Sequence, residues 1–162
     1  MVCHGKRCNV TFSEASFKHC TLVATAGACV TLHACSFTLE PEGHHGIALV
    51  ATDKGTAVHL DQACTIWGGA QGCLVQAGAR LTASGLLIER VSVAGVLVTG
   101  LNSSLQLTEC RLRNFRTLGG VHQVPNVLND AISVQDKAMA QLTDTRIEGV
   151  PRRVFELSLI HI

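Results

Sequence analysis

The side chains of this 162-residue chain that could do chemistry fall into four groups, each with an ordinary structural explanation beside it. Cys3, His4, Cys8, His19 and Cys20 offer thiolate and imidazole ligands near the N-terminus. Their spacing is not the paired C-x-x-C of a zinc module, so no metal site is expected there. Among the carboxylates, Asp61 follows His59 and Leu60, and Asp130 follows Asn129. A calcium-dependent lyase needs several carboxylates converging on one ion, and a glycoside hydrolase needs a pair at fixed separation. Neither Asp61 nor Asp130 has an acidic companion at such a place, and Asp130 reads as a turn or strand-opening residue. Arg111, Arg113, Arg116 and Arg146 could grip an anionic polymer, although Glu109, Asp144 and Glu148 cancel much of their field. Trp67, followed by Gly68 and Gly69, is the sole indole and could stack on a sugar ring or fill a loop. No catalytic residue, metal ligand or cofactor is assigned from these groups.

Composition narrows the classes. Hydrophobic residues make up 47% and charged residues 15%, enough for one domain with a real core. With 4% aromatics and no Tyr, that core must be built from small and branched side chains. Thirteen basic against twelve acidic residues leave no footprint for nucleic acid. The longest nearly unbroken apolar run, residues 91–101, falls well short of the roughly 20 residues of a membrane helix, so no membrane insertion is expected. No secretory signal is visible in residues 1–8, which read as an N-terminal segment, truncated or a cap. The eight Cys sit in apolar strand patterns, which favours reduced, buried thiols and the cytosol over a disulfide framework. Residues 157–162 (LSLIHI) resemble translated sequencing-adapter DNA and read as a non-native tail.

The elements that must position these groups come from a repeat. One phrase, apolar-x-Leu/Phe-x-x-small-x-apolar, is found at Val10-Phe12-Ala15-Phe17, Val30-Leu32-Cys35-Phe37 and Leu105-Leu107-Cys110-Leu112. Weaker copies start at Val58, Ala79 and Ala140. The anchors Phe12, Leu32, Leu60, Leu81, Leu107 and Leu142 lie 20, 28, 21, 26 and 35 residues apart, a base period of 20 or 21 with insertions at residues 40–45 and 117–128. A second phrase opens on a turn residue, as in Gly46-Ile-Ala-Leu-Val, Gly72-Cys-Leu-Val, Gly95-Val-Leu-Val and Asp130-Ala-Ile-Ser-Val. Each period therefore holds three strands too short to stand alone, which must stack on their copies one turn away. The expected fold is all-β: a right-handed parallel β-helix of about five to six coils over residues 9–156, with three short strands per coil.

The phrases VTLHACSF, LQLTECRLRNF and AQLTDTRIEGV, each joined to a G-V-x-V-like strand, resemble the repeats of the pectin-lyase-like parallel β-helix superfamily. That resemblance implies the fold but no single activity, since such repeats serve lyases, hydrolases, epimerases and non-enzymatic recognition proteins. It also implies that a ligand lies on an exposed strand face. Leucine-rich repeats share the period, but L-x-x-L-x-L-x-x-N is absent, and a β-sandwich would not return one phrase every 20 residues.

Stacking the V-x-L phrases places Thr11, Thr31, His59, Arg80, Gln106 and Gln141 in one outward ladder of groups that hydrogen-bond sugars. The strand after it presents Ser16, Ser36, Thr65, Gly85, Arg111 and Arg146, and the G-V-x-V strand presents an apolar stripe of Ala48, Leu74 and Leu97. The expected function is a non-catalytic scaffold, part of a larger protein, whose side face binds a protein or a polysaccharide through Thr31, His59, Arg80, Gln106, Gln141, Arg111 and Arg146. The alternative is a piece of a carbohydrate-active enzyme whose acidic residues lie elsewhere.

Overall fold

The computed structural model describes residues 1–40, 46–61, 63–115 and 130–149, and the backbone of the strand Arg153–Leu157. The expected loop at 40–45 beyond Glu40, with His44 and His45, and the expected loop at 117–128 lie outside the described residues, as do Arg116, Asn129 and residues 158–162 of the expected tail. Every regular element among the described residues is a strand. The first sheet holds β1 (Val2–His4), β4 (Leu22–Thr25), β7 (Ile47–Thr52), β10 (Gln71–Gln76), β13 (Ala94–Thr99), β16 (Asp130–Val134) and β19 (Arg153–Leu157), hydrogen-bonded in that order. The second holds β2 (Asn9–Ser13), β5 (Cys29–His33), β8 (Ala57–Asp61), β11 (Arg80–Ser84), β14 (Ser104–Thr108) and β17 (Met139–Thr143). The third holds β3 (Ser16–Lys18), β6 (Ser36–Thr38), β9 (Thr65–Trp67), β12 (Leu87–Glu89), β15 (Arg111–Arg113) and β18 (Arg146–Glu148). Successive neighbours in each sheet pair in parallel, so the chain winds through three sheets per turn as a β-solenoid. Residues 2–4 already belong to it, pairing with Val23, Ala24 and Thr25.

Alternation turns every second side chain into the shaft, and register stacks like on like. On the second sheet the inner columns are Val10, Val30, Val58, Leu81, Leu105, Ala140 and Phe12, Leu32, Leu60, Ala83, Leu107, Leu142. On the third sheet Phe17, Phe37, Ile66, Ile88, Leu112 and Ile147 follow one another. Phe17 and Phe37 stack at 4.5 Å between ring centroids, and Phe12 meets Phe17 edge-on at 5.5 Å. Each fully buried aliphatic residue contributes roughly 1.5–3 kcal/mol, which offsets the ordering of strands only three to six residues long.

The fourth rung corrects the expected register. Leu81 is a neighbour of Val58 and Leu105, and the anchor slot between Leu60 and Leu107 belongs to Ala83. The slip is two residues, so inside stays inside and the error is invisible to the hydrophobic pattern. Turn conformation sets the true register: Ala26-Gly27 and Ala77-Gly78 adopt the same left-handed pair, with φ of 55° and 83° against 54° and 83°. The slip also moves Leu86 into the small slot filled by Cys64 below and Cys110 above. Leu60 with Cys64 thus becomes Ala83 with Leu86, an exchange of large and small that fills the same space. Both Ala83 and Leu86 are buried.

The corner between second and third sheets is a single left-handed residue in every rung: Glu14, Ala34, Ala63, Gly85, Glu109 and Asp144, with φ between 49° and 66°. In four of the six rungs the side chain of the next residue closes it. Cys35 Sγ donates to Phe12 O at 3.4 Å and His33 O at 3.3 Å, and Cys64 Sγ donates to Leu32 O and Asp61 O, both at 3.4 Å. Cys110 bonds Ala83 O and Thr108 O likewise, and in the last rung the Thr145 hydroxyl takes over the same two bonds. All eight cysteines are free thiols. Burial pushes the thiols of Cys64 and Cys110 up, keeping them protonated as donors, and raises the thiol of the fully buried Cys73 as well.

The first-to-second-sheet corner is held across rungs by polar side chains. Asp53 accepts from the Thr25 hydroxyl and from Ala26 N at 3.0 Å, and Thr56 Oγ1 accepts from Gly27 N at 2.9 Å. Ser103 Oγ accepts from Gly78 N at 3.0 Å and donates to Thr99 O at 2.7 Å. The bonds from the Thr25 hydroxyl first and then from Ala26 N hold the Asp53 carboxyl below its ordinary value of 3.8.

Two predictions follow from this packing. Ala83→Leu overfills the fourth rung and is expected to cost about 1–3 kcal/mol in urea denaturation, while adding Leu86→Cys recovers most of the loss. A lowered carboxylate pKa stabilises the fold above the unfolded value and loses that contribution as pH falls through the folded value. Stability lost on acidification below about pH 4 is therefore expected to be smaller in Asp53→Asn, measured by pH-dependent denaturant midpoints.

Candidate functional site

The outer face of the second sheet carries three parallel columns. The central one runs Thr11, Thr31, His59, Thr82, Gln106, Gln141, all exposed or half-buried, at a strand spacing of about 4.8 Å. Five of the six expected members stand where the repeat puts them. Arg80 does not: the two-residue slip sets Thr82 between His59 and Gln106 and moves Arg80 to a flanking column between Ala57 and Ser104. There Arg80 and Ser104 join Asn102, Gly55 and Gly78 around a shallow depression of about 280 Å³.

The other flank was not singled out from sequence. Ser13, His33 and Asp61 are register neighbours on β2, β5 and β8, and Ser84, Thr108 and Thr143 continue the line. His33 Nδ1 lies 3.4 Å from Asp61 Oδ2, with side-chain exposures of 34% and 48%. Asp61 is the one carboxylate on the described strands of this sheet. Alternation from Thr31 to His33 would have revealed this line, since residues two apart share a face. Among the described residues no group of three His, Cys, Asp or Glu side chains could hold a metal ion. In the N-terminal cluster, His19 instead lies 3.8 Å from Glu40.

The third sheet is differently charged. Arg111 and Arg146 are register neighbours and both exposed, as expected, but Leu87 takes the slot expected for Gly85, which forms the corner. Glu89 accepts from Asn114 Nδ2 at 2.6 Å and pairs with Arg113 at 3.5 Å. Arg90 covers the Trp67 ring at 5.6 Å from its centroid, so this indole already has a cation on one face.

The first sheet bears the apolar stripe, with one correction: Ala48 is buried, and the column is Val2, Val23, Val50, Leu74, Leu97. Ala48 turns inward because the backbone is locally irregular beside Gly72 and Gly95. A Cβ on Gly72 would lie 2.5 Å from Gly95 O, and one on Gly95 would lie 2.5 Å from Ala131 O. Asp130 opens β16 and is buried, in keeping with a strand-opening residue. No helix of the described residues is long and apolar enough to cross a membrane.

Both long connections, across 41–45 and across 116–129, join a third-sheet strand to a first-sheet strand. The two corners bordering the second sheet are short in every rung, so no long connection originates beside its polar face.

Comparison with known proteins adds no constraint: no protein-family profile, no curated protein and no solved structure matches this chain.

Because the central column points away from the shaft, Thr31→Ala, His59→Ala and Gln106→Ala are expected to change stability by no more than about 0.5 kcal/mol. Leu60→Ala, one residue from His59 but inward, is expected to cost about 2–5 kcal/mol in the same denaturation assay.

Proposed function

We propose that this protein is a non-catalytic recognition scaffold whose second sheet binds an extended, uncharged polysaccharide along the solenoid axis. The observation that carries the reading is the unbroken central column of hydroxyl, imidazole and amide groups from Thr11 to Gln141. A column that repeats at strand spacing offers the same kind of donor and acceptor at each step, which suits a polymer of similar units better than a compact ligand. Flanking Ser13, His33 and Ser104 widen the strip, and near-neutral net charge removes the long-range attraction a polyanion would exploit. A protein partner is the other form of this reading, and the apolar column Val23, Val50, Leu74, Leu97 supports it.

A carbohydrate-active enzyme is the second reading, favoured by the His33–Asp61 contact in the strip. Acid–base hydrolysis of a glycosidic bond by paired carboxylates would need a second acid beside Asp61.

Affinity electrophoresis against a panel of neutral polysaccharides tests the proposal. Retardation by at least one of them is expected, with affinity falling about five- to tenfold in His59→Ala or Thr31→Ala, as for loss of one net hydrogen bond. Thr38→Ala on the third sheet should leave affinity unchanged. Binding to none of the panel, or equal loss in Thr38→Ala, overturns the assignment to this face, and release of new reducing or unsaturated ends favours the enzyme.

A further inference from the structure

The first rung contains a pair of cysteines that the proposed binding face does not use. Cys3 points inward from β1, where it is the register partner of Ala24 and is buried. Cys8 lies at the other end of the same turn, one rung from Ala28: Cys29 N donates to Cys8 O at 2.9 Å, and Cys8 is packed against the core while half-buried. The turn between them is tight, closed by Cys8 N donating to Gly5 O at 2.8 Å with Gly5 at φ 103°.

The same two inward places flank this corner in the other rungs. In the fifth rung they are Val98 and Ser103, and the Ser103 hydroxyl reaches back across the turn to Thr99 O at 2.7 Å. In the second they are Ala24 and Ala28, both fully buried. Only the first rung fills both with sulfur. Burial raises the Cys3 thiol, and the neighbouring Cys8 raises it further.

We infer that Cys3 and Cys8 form a dithiol that closes to an intramolecular disulfide by exchange with a low-molecular-weight disulfide such as oxidised glutathione. Cys8, the more accessible, attacks first as thiolate: its sulfur bonds one glutathione sulfur and the other leaves as thiolate. Cys3 then gives up its proton to solvent, its sulfur attacks Cys8 Sγ, and the second glutathione thiolate leaves. Two protein thiols are oxidised and one glutathione disulfide is reduced to two thiols. Cys35, Cys64 and Cys110 stay out of this chemistry because each is buried and hydrogen-bonded to backbone carbonyls. The bridge would staple the turn of the first described rung, whose β1, β2 and β3 each pair on one side only among the described residues.

The test treats the full chain with oxidised glutathione, alkylates remaining thiols after denaturation, and maps tryptic peptides by mass. Trypsin cuts after Lys6 and Arg7, between the two cysteines, so the bridge is expected to hold peptides 1–6 and 8–18 together, lighter by two hydrogen atoms. Alkylation of Cys3 and Cys8 is lost together. In Cys3→Ser the first step has no successor, and glutathione is expected to remain on Cys8. Persistent alkylation of both thiols, stable glutathione on Cys8 in the unsubstituted chain, or a Cys8 link to Cys20 or Cys29 overturns the inference. The linkage map of the unsubstituted chain decides this even if a variant folds poorly.

Discussion

Every strand in this molecule is satisfied only by its copy one turn away. The strands are three to six residues long, each sheet one strand thick, and the hydrogen-bonding edge of one rung is the template for the next. Parallel in-register pairing then forces equivalent residues into vertical contact, so a side chain is judged against its copies above and below rather than against a distant layer. Phe on Phe, Ile on Ile and Thr on Thr are consequences of that rule, and so is the use of cysteine at the corners. The slot after the left-handed corner residue faces two carbonyls, and a thiol there packs inward and still donates. Thr145 does the same work with oxygen, while Ala15 and Leu86 fill the slot without donating.

The same rule separates structure from surface along each strand. In β8, Val58 and Leu60 belong to the shaft while His59 and Asp61 belong to the face, so chemistry on the outside varies without disturbing the inside. The three sheets have used this freedom differently: hydroxyls, imidazoles and amides on the second, ion pairs on the third, aliphatic residues on the first. The molecule thus presents three chemically distinct strips on one shaft.

The architecture was legible because the phrase returning from Val10 to Phe17, at Val30 and at Leu105 encodes both strands and the corner between them. The failure at the fourth rung is physical. A hydrophobic pattern of period two is unchanged by a shift of two, so Ala79-Leu81 and Leu81-Ala83 fit the inside equally well. What distinguishes them is the turn, and the tripeptide Ala26-Gly27-Ala28, repeated as Ala77-Gly78-Ala79, carried that information. Misplacing Arg80 and Gly85 came from weighing apolar residues above turn residues, whereas Ala48 was misplaced by matching Gly46 to Gly72, two residues away from the pairing of Val50 with Leu74. His33 was overlooked for a different reason: alternation from Thr31 puts it on the outer face, but its partner Asp61 lies beyond an insertion, so only the stacked register joins the two.

Variation in chain length is confined to one of the three corners. The passages from first to second and from second to third sheet keep nearly constant length from rung to rung, whereas residues 39–46 and 114–129 enlarge only the passage back to the first sheet. The solenoid therefore has a seam. Material can be added along that seam without altering which residues lie above one another, so elaboration there is uncoupled from the pitch of the shaft and from the polar strip on the opposite side.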